Sequence, residues 1–221
     1  MTYVLLRNSN FVKEKINVPK IFCLGSNYLD HIKEMGAKTP EEPVIFMKPS
    51  TAIIYENQKI ILPKISNDVH HEVEILFLIE KEGKNIKEED TKSYINSIGI
   101  GLDITLRDLQ NKAKINGKPW LVSKGFDTSA PVSEFINIHR IEDINNLSFS
   151  LYVNDELKQV GNSSNMIFKF DKIISYISSI FTLQRGDIIF TGTPKGVGKI
   201  NSGDKIRAVL ENLIELNVSV E

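Results

Sequence analysis

Two glutamates stand at the mouth of an apolar run: His70-His71-Glu72-Val73-Glu74 leads straight into Ile75-Leu76-Phe77-Leu78-Ile79. If residues 69–79 are extended, side chains alternate faces, so Glu72 and Glu74 point the same way, roughly 6–7 Å apart along the backbone. Desolvating an unpaired carboxylate is costly, so acids feeding a core strand call for a compensating cation. A metal ion is one such cation. A second reading stands beside it, with Glu72 on the rim of an edge strand and Glu74 in solvent. A third acid elsewhere in the chain decides between them.

The bulk properties bound the partner. With 221 residues, 41% of them hydrophobic, the chain can bury a large core without disulfide or metal staples. Its 27 basic and 28 acidic residues leave a net charge of -1, which is no footprint for nucleic acid or an anionic membrane. The expected partner is a small molecule. The single cysteine, Cys23, sits among apolar neighbours and reads as a small core residue rather than a nucleophile. Residues 1–7 lack the long apolar segment of a signal peptide, and no run approaches the ~18 residues that span a bilayer, so a cytoplasmic protein is expected.

Residues 1–20 read as an N-terminal strand or arm, and 21–221 as one domain. Ile21–Leu24 is a strand ended by Gly25; Ser26 and Asn27 offer an N-cap, and Tyr28–Met35 has helical character up to Gly36. His31 and Glu34 share a face of that helix. The Pro-broken stretch 37–43 makes the helix a candidate mobile lid, the alternative being a surface helix with an incidental His and Glu. Val44–Met47 and Ile60–Leu62 are strands. Thr91–Ser97 is predicted as a short helix and Ile98–Ile104 as a strand on which Asp103, the third acid, shares a face with Gly99 and Gly101.

The next helix, from Thr105 to Lys112, presents Arg107 and Gln110 on one face. Arg clamps carboxylates bidentately and Gln both donates and accepts, so the pair suits a small organic acid; the alternative is an ordinary amphipathic helix. Trp120–Ser123 is an apolar segment that delivers Lys124, whose ammonium can stabilise an enolate. Residues 131–144 read as a loop with a surface His139. Leu147–Val153 and Leu157–Val160 form a hairpin around Asn154-Asp155. Apolar residues from Ile167 to Phe181 recur at helical spacing. The strand 186–190 enters Thr191-Gly192-Thr193-Pro194-Lys195-Gly196-Val197-Gly198, a loop able to aim backbone N–H groups and the Thr193 hydroxyl at an anion. Strands 205–210 and 214–220 close the chain around a turn at Glu211-Asn212.

Taken in order, the His-His-Glu-x-Glu strand, the Leu-Asp-x-Thr-x-Arg-Asp junction at 102–108, the His31/Glu34 pair and the Thr-Gly-Thr-Pro-x-Gly-Val-Gly loop resemble the fumarylacetoacetate hydrolase family, most of all its acylpyruvase and oxaloacetate decarboxylase branch. The resemblance spans about residues 20–221. It implies an α+β, β-rich fold, a mixed β-roll with few helices, and a homodimer. It implies Mg²⁺ (or Mn²⁺) on Glu72, Glu74 and Asp103, three hard oxygen donors. It gives His31 and Glu34 the activation of water, Lys124 the stabilisation of an enolate, and Arg107, Gln110 and Thr193 the holding of a small 2-oxo acid. Tyr28 and Lys48 sit in matching motifs. His70, on the acids' face by strand parity, leaves open a His-containing transition-metal site, although that position is not a ligand in the family; His71 is expected to be structural. Ser26 stands where the family usually has Arg, which puts in doubt any anion contact from that position.

The expected reaction is cleavage of 3-acylpyruvates to pyruvate and a carboxylic acid, placed first because both members of the water-activating pair are present. Oxaloacetate decarboxylation, its keto–enol tautomerisation and 2-hydroxyhepta-2,4-diene-1,7-dioate isomerisation are the alternatives. A non-catalytic metal-stabilised binding protein of the same fold would have no need of His31, Glu34 and Lys124.

Overall fold

A computed structural model describes residues 2–7 and 13–221 of the chain. An eight-stranded mixed sheet runs in the order Lys13–Asn17, Tyr3–Arg7, Phe135–Asn137, Ile95–Leu102, Val73–Ile79, Ile188–Phe190, Ile21–Gly25 and Val44–Lys48. A second, five-stranded sheet has the order Glu156–Asn162, Ser148–Val153, Lys205–Leu210, Ile214–Val220 and Lys59–Ile60. Among the described residues four α-helices punctuate them: α1 (Leu29–Glu34), α2 (Arg107–Ile115), α3 (Leu121–Lys124) and α4 (Phe170–Ile180). This is the α+β, β-rich fold that the sequence implies. No described helix is long and apolar enough to cross a membrane.

The continuous apolar run at 73–79 is explained by burial on both faces of the large sheet. Val73, Ile75, Phe77 and Ile79 enter the larger core with α4 and the five-stranded sheet, whereas Leu76 and Leu78 enter a second core with Val4, Ile16, Cys23, Ala130 and Phe135. Strand Ile21–Gly25 divides in the same way, Phe22 and Leu24 to the larger core and Ile21 and Cys23 to the other. Cys23 is a fully buried free thiol, and burial pushes its pKa up, as expected of a core residue. On α4, Phe170, Ile173, Ile174 and Ile177 make the buried stripe that its spacing predicts.

Several local expectations are corrected. The stretch 69–79 is not one strand: Val69–His71 pairs with Thr105–Leu106 and Gly198–Lys199 in a small separate sheet, and pairing in the large sheet starts only at Val73. Residue 72 is the corner between them. The predicted helix over 91–97 is a 3₁₀ segment at Glu88–Tyr94, and the strand begins at Ile95, where the chain meets Ile79. The apolar segment Trp120–Ser123, given no secondary structure from sequence, is the N-cap and first three residues of the one-turn α3. Residues 131–144 are not all loop, because Phe135–Asn137 joins the large sheet between Tyr3–Arg7 and Ile95–Leu102. The N-cap of α1 is Tyr28, without a side-chain cap, because Asn27 is committed elsewhere. Its amide donates to Phe168 O at 3.1 Å and Thr191 O at 2.8 Å, and its Oδ1 accepts from Phe168 N at 2.8 Å.

Candidate active site

The corner at residue 72 gathers the acids. Strand Val73–Ile79 pairs with Ile95–Leu102 so that Glu74 faces Gly101, and Asp103 N donates to Glu72 O at 2.8 Å just past the end of that pairing. A Cβ on Gly101 would lie 2.7 Å from the Leu76 side chain and 2.8 Å from Pro131 O, so only glycine lets the strand pass this close behind the site. Glu72, Glu74 and Asp103 are all buried, and one carboxylate oxygen from each lies within 4.8 Å of the others. That excludes the alternative of an exposed strand rim. His70 is not in the cluster. Its Nε2 is 2.9 Å from Asp68 Oδ1, because the corner at 72 breaks the parity on which its inclusion rested. His71 is structural, its Nδ1 held by Gln159 Oε1 at 2.9 Å.

Three buried cations answer the acids. Lys124 Nζ, at the end of α3, lies 2.6 Å from Glu72 Oε2, 2.7 Å from Asp103 Oδ2 and 2.7 Å from Thr105 Oγ1. Arg107 donates to Glu72 Oε1 and, at 2.6 Å, to Gln110 Oε1, while its Nε is buried without a partner. Lys48 Nζ, fully buried, is 2.8 Å from Asp103 Oδ1 and 3.1 Å from Ser129 Oγ, and also donates to Lys124 O.

The charges divide unevenly. Burial works to raise the pKa of Glu72, but Lys124 and then Arg107 outweigh it and hold the carboxyl well below the usual range. Glu74 has no ion-pair partner among the described residues; it accepts from Gly192 N at 2.6 Å. Burial, then Asp103 and Glu72, push its pKa well up. A carboxylate cluster with one member short of positive charge, built wholly of hard oxygen donors, fits a divalent cation.

His31 and Glu34 close the site. His31, on α1, is 7% exposed, and its Nδ1 lies 2.9 Å from Glu34 Oε2. Glu34 Oε1 accepts from Gly196 N at 2.9 Å, so the dyad is tied to the glycine-rich loop. Thr193 is buried in that loop and its Oγ1 accepts from Gln159 Nε2 at 2.9 Å. His31, Glu72, Glu74, Arg107, Gln110, Lys124 and Thr193 therefore line one cavity. Its volume is about 30 Å³, room for a water or two. Glu34 adjoins the cavity through His31 and Asp103 through the carboxylate cluster. Ser129 and Gln159 have no role legible in the sequence, and Lys48 only an unspecified one. Lys48 lies 76 positions from Lys124 and 81 from Ser129, and no local pattern carries that.

The fumarylacetoacetate (FAA) hydrolase C-terminal family matches residues 20–221. The chain belongs to that family. Among relatives in it, oxaloacetate tautomerase YcgM of Escherichia coli is 45% identical over 195 residues, 88% of this chain and 89% of its own. The mitochondrial oxaloacetate tautomerase FAHD1 of Bos taurus is 42% identical over 201 residues, 91% of each chain. The crystal structure of fumarylpyruvate hydrolase from Pseudomonas aeruginosa in complex with Mn²⁺ and pyruvate superposes with a TM-score of 0.93 at 31% identity, covering 100% of this chain and 96% of that one. Named members of the family are thus enzymes, both hydrolases and isomerases of oxo acids.

Proposed function

We propose that the chain interconverts the keto and enol forms of oxaloacetate, using Mg²⁺ or Mn²⁺ held by Glu72, Glu74 and Asp103. The observation that carries this reading is His31, engaged by Glu34 at Nδ1, in the wall of the cavity that Glu72 and Glu74 also line. A hard divalent cation there would supply Lewis acidity, drawing electrons from the 2-keto group and making the C3 hydrogens acidic. With Nδ1 engaged by Glu34, His31 keeps Nε2 for proton exchange with C3. The Lys124 ammonium balances charge that develops on the 2-oxygen, and Arg107 with Gln110 orients a carboxylate. The proton removed from C3 is made up by one delivered to the 2-oxygen, so no co-reactant is consumed.

Tautomerisation ranks ahead of acylpyruvate cleavage because the oxaloacetate tautomerases, at 42% and 45% identity, are more similar to this chain than the fumarylpyruvate hydrolase at 31%. Cleavage is the second reading, favoured by the capacity of the same pair to deprotonate a water. Both are tested with EDTA-stripped protein. Enol-enriched oxaloacetate diluted into buffer should lose enol absorbance faster with protein plus Mg²⁺ or Mn²⁺ than with either alone, and His31→Ala should lower kcat on the order of 100-fold. A rate equal to that of the metal alone would overturn the tautomerase reading. Metal-dependent pyruvate release from acetylpyruvate in that case would put hydrolysis in its place.

A further inference from the structure

Resting on the reading of the cavity as a 2-oxo acid site, we propose that Lys114 selects substrates bearing a second carboxylate and is the residue that recognises that distal group. Arg107, Gln110 and Lys114 stand at i, i+3 and i+7 on α2, one face of the helix, and all three line the cavity that Glu72 and Glu74 also line. The other cations of that wall are already committed, Arg107 to Glu72, Lys124 to Glu72 and Asp103. Lys48 behind them is committed to Asp103. Lys114 has no acidic partner among the described residues. Its Nζ lies 5.3 Å from the centre of the Trp120 ring, which is itself fixed edge-on to Phe46 with ring centres 5.9 Å apart. A Cβ on Gly25 would come within 3.3 Å of Trp120, so the glycine makes room for this wall.

Lys114 is exposed, whereas Glu72 and Glu74 in the lining of the same cavity are buried. Burial of its stem, followed by the nearby Arg107, lowers its pKa, so an incoming anion relieves repulsion among the cations as well as making a contact. Ser26, in the same wall, contributes no charge. A 2-oxo acid with its 2-oxo end at the acids therefore meets one uncommitted positive charge on the way out, and that charge matches a carboxylate at the far end of a short chain.

The test is equilibrium binding, which does not depend on which reaction follows. Trp120 is the single tryptophan of the chain and touches Lys114, so its fluorescence reports the site. Mn²⁺-loaded protein is titrated with 2-oxoglutarate and with 2-oxovalerate, two five-carbon 2-oxo acids that differ by the distal carboxylate, in the wild type, Lys114→Gln and Lys114→Arg. The wild type should bind the dianion roughly fivefold or more tightly than the monoanion, a preference that shrinks as ionic strength rises. Lys114→Gln should bring the two Kd values together by weakening only the dianion, and Lys114→Arg should keep them apart. Equal Kd values in the wild type, or a ratio that survives Lys114→Gln, would overturn the assignment. Absence of oxaloacetate tautomerisation, by contrast, would leave it standing and remove only the reaction proposed above.

Discussion

Gln159 shows how one side chain holds a site it does not enter. It is 1% exposed; its Oε1 accepts from Val73 N at 3.1 Å and meets His71 Nδ1 at 2.9 Å, and its Nε2 donates to Thr193 Oγ1 and Pro194 O, each at 2.9 Å. It thereby ties the corner that carries Glu72 to the loop that donates to Glu74 and Glu34. Gln159→Ala would leave several buried polar groups without partners, and it should lower the free energy of unfolding by about 2–3 kcal/mol in a urea titration of the metal-free protein. A loss near zero would mean that water replaces the amide and that the corner holds itself. Gly192 makes a related point about space: it has φ +95° and a Cβ there would lie 2.7 Å from Asn27 Cβ, so any other residue would push the loop N–H away from Glu74.

Elements are placed by turns and corners as much as by their own periodicity. Helix α1 lies between two left-handed residues, Ser26 at φ +62° and Gly36 at φ +60°, and is pinned at its start by Asn27 and near its end by Glu34 on Gly196. Those ties fix where His31 stands relative to the acids. The hairpin Ser148–Val153 to Glu156–Asn162 turns through Asn154 and Asp155, both with positive φ, 50° and 65°, a two-residue turn whose second position favours glycine. Asn154 earns its place, its Oδ1 accepting from Lys205 N at 2.9 Å, whereas Asp155 carries the backbone strain alone. Asp155→Gly should therefore raise stability by about 0.5 kcal/mol, seen as a higher urea midpoint with an unchanged slope. A lower midpoint would show that the entropy glycine adds to the unfolded chain outweighs the strain relieved.

At the scale of the whole molecule, the large sheet puts three distant segments at one point: the corner at 72, the strand end at 103 and the helix end at 124. The chemistry-bearing residues were legible in the sequence because each sits at a boundary that sequence marks, an acid where an apolar run begins or ends, a lysine ending an apolar segment, an Arg and a Gln at helical spacing. What was not legible is what faces them. Lys48 meets Asp103 across 55 positions, and Phe135–Asn137 becomes a strand only because Ile95–Leu102 offers it an edge, which a three-residue segment does not announce. The break at Glu72 was hidden for the same reason, since the partners on its two sides belong to different sheets. Tertiary pairing of this kind overrides local pattern.

On the proposed reading, this convergence is a cation site. Its most direct measurement is Mn²⁺ binding to EDTA-stripped protein by electron paramagnetic resonance, in which free ion is counted as the protein is titrated. One ion should be taken up per chain by the wild type, and Glu74→Ala and Asp103→Ala should each abolish stoichiometric uptake while their circular dichroism stays that of the wild type. A wild type that leaves Mn²⁺ free, or an uptake that persists in both folded variants, would contradict the account.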